Sequence, residues 1–264
     1  MHKLGRSVRF SINPFLAQDS LGSNSYASKP AGEGLALFFE LWVELAGPLE
    51  PSTGFVVNVT EIDEKVRRRV VPVFARQIRD EFCAGRHIGF IGLAGLLRSA
   101  WDSLGGEFGA AKLNRLALKL SPFRELAMNS VDSKKIHFNE RFEFAATHKL
   151  WNDEFSEQKN FEVFGKCANP DGHGHNYVVE VTVEIEADSN FCIADFEAVV
   201  NDELIEVVDH KNLNTEVGDF ARVIPTVENI ATFAWGRLVD RFETGLLHRV
   251  TVWETDKTYC SYSG

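Results

Sequence analysis

Phe164-Gly165-Lys166-Cys167-Ala168-Asn169-Pro170-Asp171-Gly172-His173-Gly174-His175-Asn176-Tyr177 leads directly into Val178-Val179-Glu180-Val181-Thr182-Val183-Glu184-Ile185. The first part is a Gly/Pro/Asn-rich loop. The second alternates Val, Thr and Ile with charge, the signature of a half-buried strand. His173 and His175 stand two apart at the start of that strand. Residues i and i+2 face the same way, so both imidazoles can reach one point. A catalytic zinc takes three protein ligands and keeps one position open. The pair therefore needs a third ligand, and the thiol of Cys167 lies close by. By itself a His-x-His pair is more often an accident of a polar strand.

Working outward, the third ligand has a candidate in His148, which follows Phe142-Glu143-Phe144-Ala145-Ala146-Thr147. That run reads as a strand pairing with the one that carries His173 and His175. Taken alone, His148 reads as a surface histidine at a strand end. Asp209-His210 closes a helical stretch. The pair is either a solvated loop or a carboxylate tuning a proton-relaying imidazole. Glu254, after Trp253 on the last long strand, is either an exposed edge residue or a carboxylate whose acceptors need N–H donors from a ligand ring. Cys167 is either inert apolar filler or, beside a metal and a histidine, a favoured thiolate.

The chain has 264 residues, 44% hydrophobic and 25% charged, enough for two ordinary domains. Its net charge of -10 argues against nucleic acid or an anionic membrane as partner. A pocket can still oppose the global sign and take an anionic small substrate. Met1-His2-Lys3-Leu4-Gly5-Arg6 has no apolar run behind it, and no stretch approaches membrane-spanning length. The four cysteines, Cys83, Cys167, Cys192 and Cys260, form no Cys-x-x-Cys. The expectation is reduced thiols in a cytoplasm.

A repeat runs through the chain. Gly32-Glu33-Gly34 and the strand after it echo Gly172-His173-Gly174 at an offset of 140, with Pro30 matching Pro170. Ala100-Trp101 with Leu104 echoes Ala234-Trp235 with Leu238, and Leu113-Asn114-Arg115-Leu116 echoes Leu247-His248-Arg249-Val250, at an offset of 134. The shared order predicts two copies of one domain, residues 1–130 and 136–264, divided by the polar stretch Asn129–Lys135. Each reads as two strands, helices, then strands. The second copy has strands Ile136–Thr147, Asn176–Ala187, Arg249–Thr255 and Thr258–Tyr262, with helices over Ala194–Val208 and from Thr226. The first has helices over Glu61–Phe82 and Leu93–Leu104, and a loop at Gly22–Ser28.

Phe-Ala-Ala-Thr-His-Lys-Leu, Phe-Gly-Lys-Cys-Ala-Asn-Pro-Asp-Gly-His-Gly-His-Asn-Tyr, Val-Asp-His-Lys-Asn-Leu-Asn, Pro-Thr-Val-Glu-Asn-Ile-Ala and Val-Trp-Glu-Thr-Asp occur in that order within residues 136–264. Together they resemble the 6-pyruvoyl-tetrahydropterin synthase family. The five residues between Cys167 and His173 resemble its tetrahydrobiopterin-type members. The resemblance implies zinc held by His148, His173 and His175. It implies Cys167 as general base with Asp209 and His210 as catalytic partners, and Glu254 as anchor of the pterin ring, assisted by Thr226 and Glu228. The implied reaction is a carbon–oxygen lyase reaction on 7,8-dihydroneopterin triphosphate, giving 6-pyruvoyl-tetrahydropterin. The alternatives are a 6-carboxytetrahydropterin synthase and a non-catalytic pterin- or zinc-binding scaffold. Lys149, Lys166 and Lys211 are candidate neighbours for the triphosphate.

The implied fold is α+β, with tandem tunnelling-fold domains. Each is a four-stranded antiparallel sheet with two helices, and copies join edge to edge into barrels. That makes the chain a homo-oligomer, with three tandem chains building six units. At the decisive positions the first copy departs from the pattern. Glu33 and Leu35 stand for His173 and His175, Ala27 for Cys167, Leu120 for Glu254, Gly92 and Ala94 for Thr226 and Glu228, and Pro14 for His148. The first copy is expected to lack a zinc site and to complete the oligomer.

Overall fold

A computed structural model describes residues 1–15 and 36–264. Ala27, Pro30, Glu33, Leu35, the Gly32–Gly34 motif and the Gly22–Ser28 loop lie outside the described residues. The chain forms two compact units. One is Met1–Phe138 with Ile185–Phe191, and the other is Asn139–Glu184 with Cys192–Gly264. The division falls just after the polar stretch 129–135.

The first unit contains strands β1 (His2–Ile12) and β2 (Leu37–Gly47) and helices α1 (Val59–Lys65), α2 (Val71–Cys83) and α3 (Phe90–Leu104). Strands β3 (Lys112–Ser121) and β4 (Arg124–Asn129) follow. The four strands neighbour one another in chain order. All three pairings are antiparallel, starting from the register His2↔Gly47 to Ile12↔Leu37. Alternation places Val8, Phe10 and Ile12 of β1 with Leu41, Val43 and Leu45 of β2 in the core. Ile62, Phe74, Ile78, Leu97 and Leu104 from the helices are fully buried as well. Each such side chain contributes about 1.5–3 kcal/mol by leaving water. Asn58 caps α1 by accepting from the Thr60 amide at 3.0 Å.

Most of β5 (Lys135–His148) and of β6 (His173–Glu186) belongs to the second unit, with α4 (Glu157–Phe164) and a 3-10 turn (Gly165–Ala168) between them. Helices α5 (Ile193–Val200) and α6 (Glu206–Val208), the short strand β7 (Lys211–Asn212) and helix α7 (Leu213–Glu216) follow. Helix α8 (Val227–Leu238) and strands β8 (Leu246–Thr255) and β9 (Thr258–Tyr262) end it. Its sheet order is β5-β6-β8-β9. β6–β8 and β8–β9 are antiparallel, and β7 adds a short parallel pairing on β5. Along β6, Tyr177, Val179, Val181, Val183 and Ile185 alternate into the core at 1% exposure or less. His173 and His175 begin that same row.

The class is therefore α+β on antiparallel sheet. The two units share element order and also irregularities. Each first helical run contains a five-residue π segment, Val66–Val70 in one and Asn201–Ile205 in the other. These π segments interrupt the helices expected over Glu61–Phe82 and Ala194–Val208. Lys112 and Leu246, which open β3 and β8, are 134 residues apart, as are Arg124 and Thr258, which open β4 and β9. The β3–β4 register slips between Lys119 and Ser121, and the β8–β9 register slips at the matching Trp253 and Thr255. Helix α4 was not expected from the sequence, although Ser156 caps it by accepting from the Lys159 amide.

Candidate metal centre

The centre is assembled from the ends of adjacent strands. His148 is the last residue of β5, and His173 and His175 open β6. Gly172 permits the approach. Its φ is +70°, and a Cβ there would stand 2.9 Å from the His148 carbonyl oxygen. An L side chain would be strained at this backbone angle and would also collide. β8 brings the fourth participant: Trp253 pairs with Val178, which carries Glu254 to the His175 end of β6.

The three imidazoles converge. One ligand nitrogen from each lies within 4.8 Å of the others. Nε2 of His148 is 3.1 Å from Nε2 of His173, and the His148 and His175 ring centres are 5.2 Å apart. His148 is 1% exposed. Its Nδ1 donates to the Pro225 carbonyl at 2.7 Å, which fixes the tautomer and leaves the Nε2 lone pair facing the other two rings. Burial, then the neighbouring imidazoles, pull its pKa down to about 4, although the Pro225 bond opposes this. Burial lowers His173 as well. His148 is therefore neutral at pH 7, the state that binds metal. Nε2 of His175 is buried and has no hydrogen-bond partner. A cation at the centre would satisfy it, so the donor set fits zinc.

Glu254 lies beside the imidazoles. Its Oε1 is 3.5 Å from Nε2 of His148 and 3.6 Å from Nε2 of His175. Cys167 sits in the 3-10 turn, and its carbonyl accepts from the Leu150 amide at 2.9 Å. Burial, then the charge of Glu254, push its thiol pKa up. Tyr177 is a participant the sequence reading passed over. It stacks on Phe144, and its buried hydroxyl is 3.3 Å from His148 Nδ1. Its register, two and four residues after the histidines, was the available signal. The role of the Pro225 carbonyl had none.

Asp209 and His210 form their own pair. Oδ1 of Asp209 accepts from the Ala145 amide at 2.8 Å, and Oδ2 accepts from His210 Nδ1 at 2.8 Å. The Ala145 bond, then His210, hold the Asp209 carboxyl below its usual range. His210 adopts φ +55° and its amide donates to the Ala145 carbonyl. Its side chain is 81% exposed. Among the described residues no hydrogen bond joins Cys167 to either. His175, His210 and Lys211 share the lining of a cavity of about 480 Å³. Lys149 belongs to another, of about 630 Å³, with Arg222 and Trp151. Lys166 is exposed in the 3-10 turn. Thr226 caps α8 through the Asn229 amide. Glu228 faces outward in the first turn of α8, and its charge adds to the burial that raises the Cys260 thiol pKa. In the first unit, Gly92 and Ala94 lie near the start of α3, Leu120 lies on β3 and Pro14 in a turn.

No helix among the described residues is long and apolar enough to cross a membrane. The family model of 6-pyruvoyl tetrahydropterin synthase matches residues 137–264. The human 6-pyruvoyl tetrahydrobiopterin synthase is 40% identical over 128 residues, covering 47% of this chain and 88% of that protein. The Drosophila melanogaster enzyme of the same name is 37% identical over 126 residues, covering 46% and 75%. A solved Caenorhabditis elegans 6-pyruvoyl tetrahydropterin synthase aligns over 49% of this chain and 96% of its own at 32% identity, with a TM-score of 0.47. Through the half that carries the three converging histidines, the chain belongs to the 6-pyruvoyl tetrahydropterin synthase family.

Proposed function

We propose that this chain is a zinc-dependent lyase converting 7,8-dihydroneopterin triphosphate to 6-pyruvoyl-tetrahydropterin with loss of triphosphate. The convergence of His148, His173 and His175, with Nε2 of His175 buried and unpartnered, carries the reading. When bound, zinc supplies Lewis acidity to the oxygens of the substrate side chain. A cation held by the three histidines would offset the burial and the Glu254 charge that raise the Cys167 thiol pKa. Cys167 then removes a carbon-bound proton. Asp209 holds the Nδ1 proton of His210, which leaves Nε2 as the acceptor for proton relay. Glu254 accepts N–H donors of the pterin ring, with Thr226 and Glu228 assisting. Lys149, Lys166 and Lys211 are the cations available to the triphosphate.

The shared π segments, matching strand starts and common register slip support a duplicated tunnelling-fold domain. In this reading the first copy has no metal site and completes a homo-oligomeric barrel. The exposed His210 then reaches a Cys167 of another copy. Pairing of free strand edges drives the assembly. Cytoplasmic reduced thiols fit the four free cysteines. Incubation with 7,8-dihydroneopterin triphosphate, with zinc measured on the same sample, tests the function. Mass spectrometry should find 6-pyruvoyl-tetrahydropterin and triphosphate. Release of acetaldehyde with a 6-carboxy product would replace this reading with the 6-carboxytetrahydropterin synthase, and no turnover with zinc bound would leave a scaffold.

A further inference from the structure

In the proposed function Glu254 waits for a pterin ring. Its position says more. A zinc ion with bonds of about 2.0–2.1 Å in a tetrahedral shell holds its ligand atoms about 3.3 Å from one another. The separations are 3.1 Å between Nε2 of His148 and His173, 3.5 Å between Nε2 of His148 and Oε1 of Glu254, and 3.6 Å between Nε2 of His175 and the same oxygen. Three edges of the polyhedron thus come within a few tenths of an ångström of the ideal, and two of them end on the carboxylate.

The local chemistry favours a cation between these groups. His148 gives its only N–H to Pro225, so its Nε2 presents a lone pair to the Glu254 oxygen. Nε2 of His175, equally close to that oxygen, has no hydrogen-bond partner. Among the described residues, no Lys or Arg pairs with Glu254; its ion-pair partners are these two imidazoles. A carboxylate set against the His148 lone pair is repulsive unless a positive charge sits between them.

We propose that Glu254 is the fourth ligand of the metal when substrate is absent, and that it leaves the ion to take up the pterin ring. This deepens the proposed function and rests on it. One bond from the metal to Oε1 breaks, and the carboxylate moves to the ring N–H donors as an unprotonated acceptor. The position it vacates passes to the substrate. Ring binding and opening of the metal become one event, so the ion is exposed to outside ligands only when a pterin is in place.

The test uses full-length protein with cobalt(II) in place of zinc. Its readouts are the visible ligand-field spectrum and the affinity for azide. Glu254→Gln should change the spectrum and bind azide at least about tenfold more tightly than the unaltered protein. Glu254→Asp keeps the charge but shortens the arm by a methylene, and it should behave as Glu254→Gln does. Pterin itself, which lacks the substrate side chain, should raise azide affinity in the unaltered protein and leave Glu254→Gln unmoved. Identical spectra and azide affinities for the unaltered protein and Glu254→Gln would overturn the inference. So would Glu254→Asp matching the unaltered protein, since charge repulsion would then account for the difference. Failure to bind cobalt at His148, His173 and His175 would sink the metal reading itself. Cobalt binding and turnover with an unchanged Glu254→Gln spectrum would sink the inference alone.

Discussion

Replacing Gly172 with Ala should damage the metal centre without touching a ligand. Two costs add. The left-handed backbone at φ +70° costs an L residue about 1–2 kcal/mol. The new Cβ also stands 2.9 Å from the His148 carbonyl oxygen and 3.4 Å from its carbon. Both atoms are backbone, so no side-chain rotation relieves the contact. The loop must withdraw by a few tenths of an ångström, and it carries His173 as the next residue. Metal sites tolerate about 0.2 Å of misplacement in a ligand distance. Zinc affinity should therefore fall about 10–100-fold, the loss typical of a disturbed support around a ligand. Gly165 provides the control. Its φ is +56°, and a Cβ there would meet nothing within 4 Å. With ψ at -129° it lies in a region that L residues avoid, so Gly165→Ala should cost about 1–3 kcal/mol of stability and leave zinc affinity alone. Urea denaturation gives the stabilities, and competition with a chromophoric chelator at pH 7 gives the affinities. Zinc binding unchanged in Gly172→Ala as in Gly165→Ala would refute the argument from close approach.

Further tests follow from the same geometry. Cys167→Ala should retain zinc and lower turnover by at least about 10²-fold, the range of general-base catalysis; surviving turnover removes Cys167 from that role. Asn214 bonds both backbone groups of Lys149, accepting at 2.7 Å and donating at 2.9 Å. Asn214→Ala leaves both groups unpaired and should cost about 1–3 kcal/mol in chemical denaturation, whereas no loss would mean the strand end needs no clamp. Metal-free protein should lose stability as pH falls. His148 moves from 6.5 to about 4 on folding, so between those values the unfolded chain binds a proton that the folded chain refuses. The full effect is about 3 kcal/mol, present above pH 6.5 and lost as pH falls towards 4. His148→Gln should flatten that part of the pH–stability curve, and an unchanged slope would contradict the burial argument.

The chain itself determined more of the site than of its surroundings. Period-two spacing placed His173 and His175 on one face, because a strand repeats every two residues. The same period extends to Tyr177, although that reading stopped short of it. The order of echoes located β3 against β8 because each strand must present the same alternation to a core. The π segments at 66–70 and 201–205 were not legible, since hydrophobic periodicity over so few residues does not separate π from α turns. Helix α4 was legible in Ser156 and Glu157, a cap and first-turn acid, but its residues are too exposed to show a buried stripe.

Tertiary structure alone decided three things. It set Glu254 within 3.6 Å of two imidazoles, through a register between β6 and β8 that pairs residues 75 positions apart, Val178 with Trp253. It chose the tautomer of His148 through a backbone carbonyl, and any residue at position 225 carries one. It also drove the Cys167 thiol up, because burial and a neighbouring charge are properties of a packed neighbourhood. Sequence specifies which groups a strand offers and on which face. The distances that turn those groups into chemistry are set only when separate strands are locked side by side.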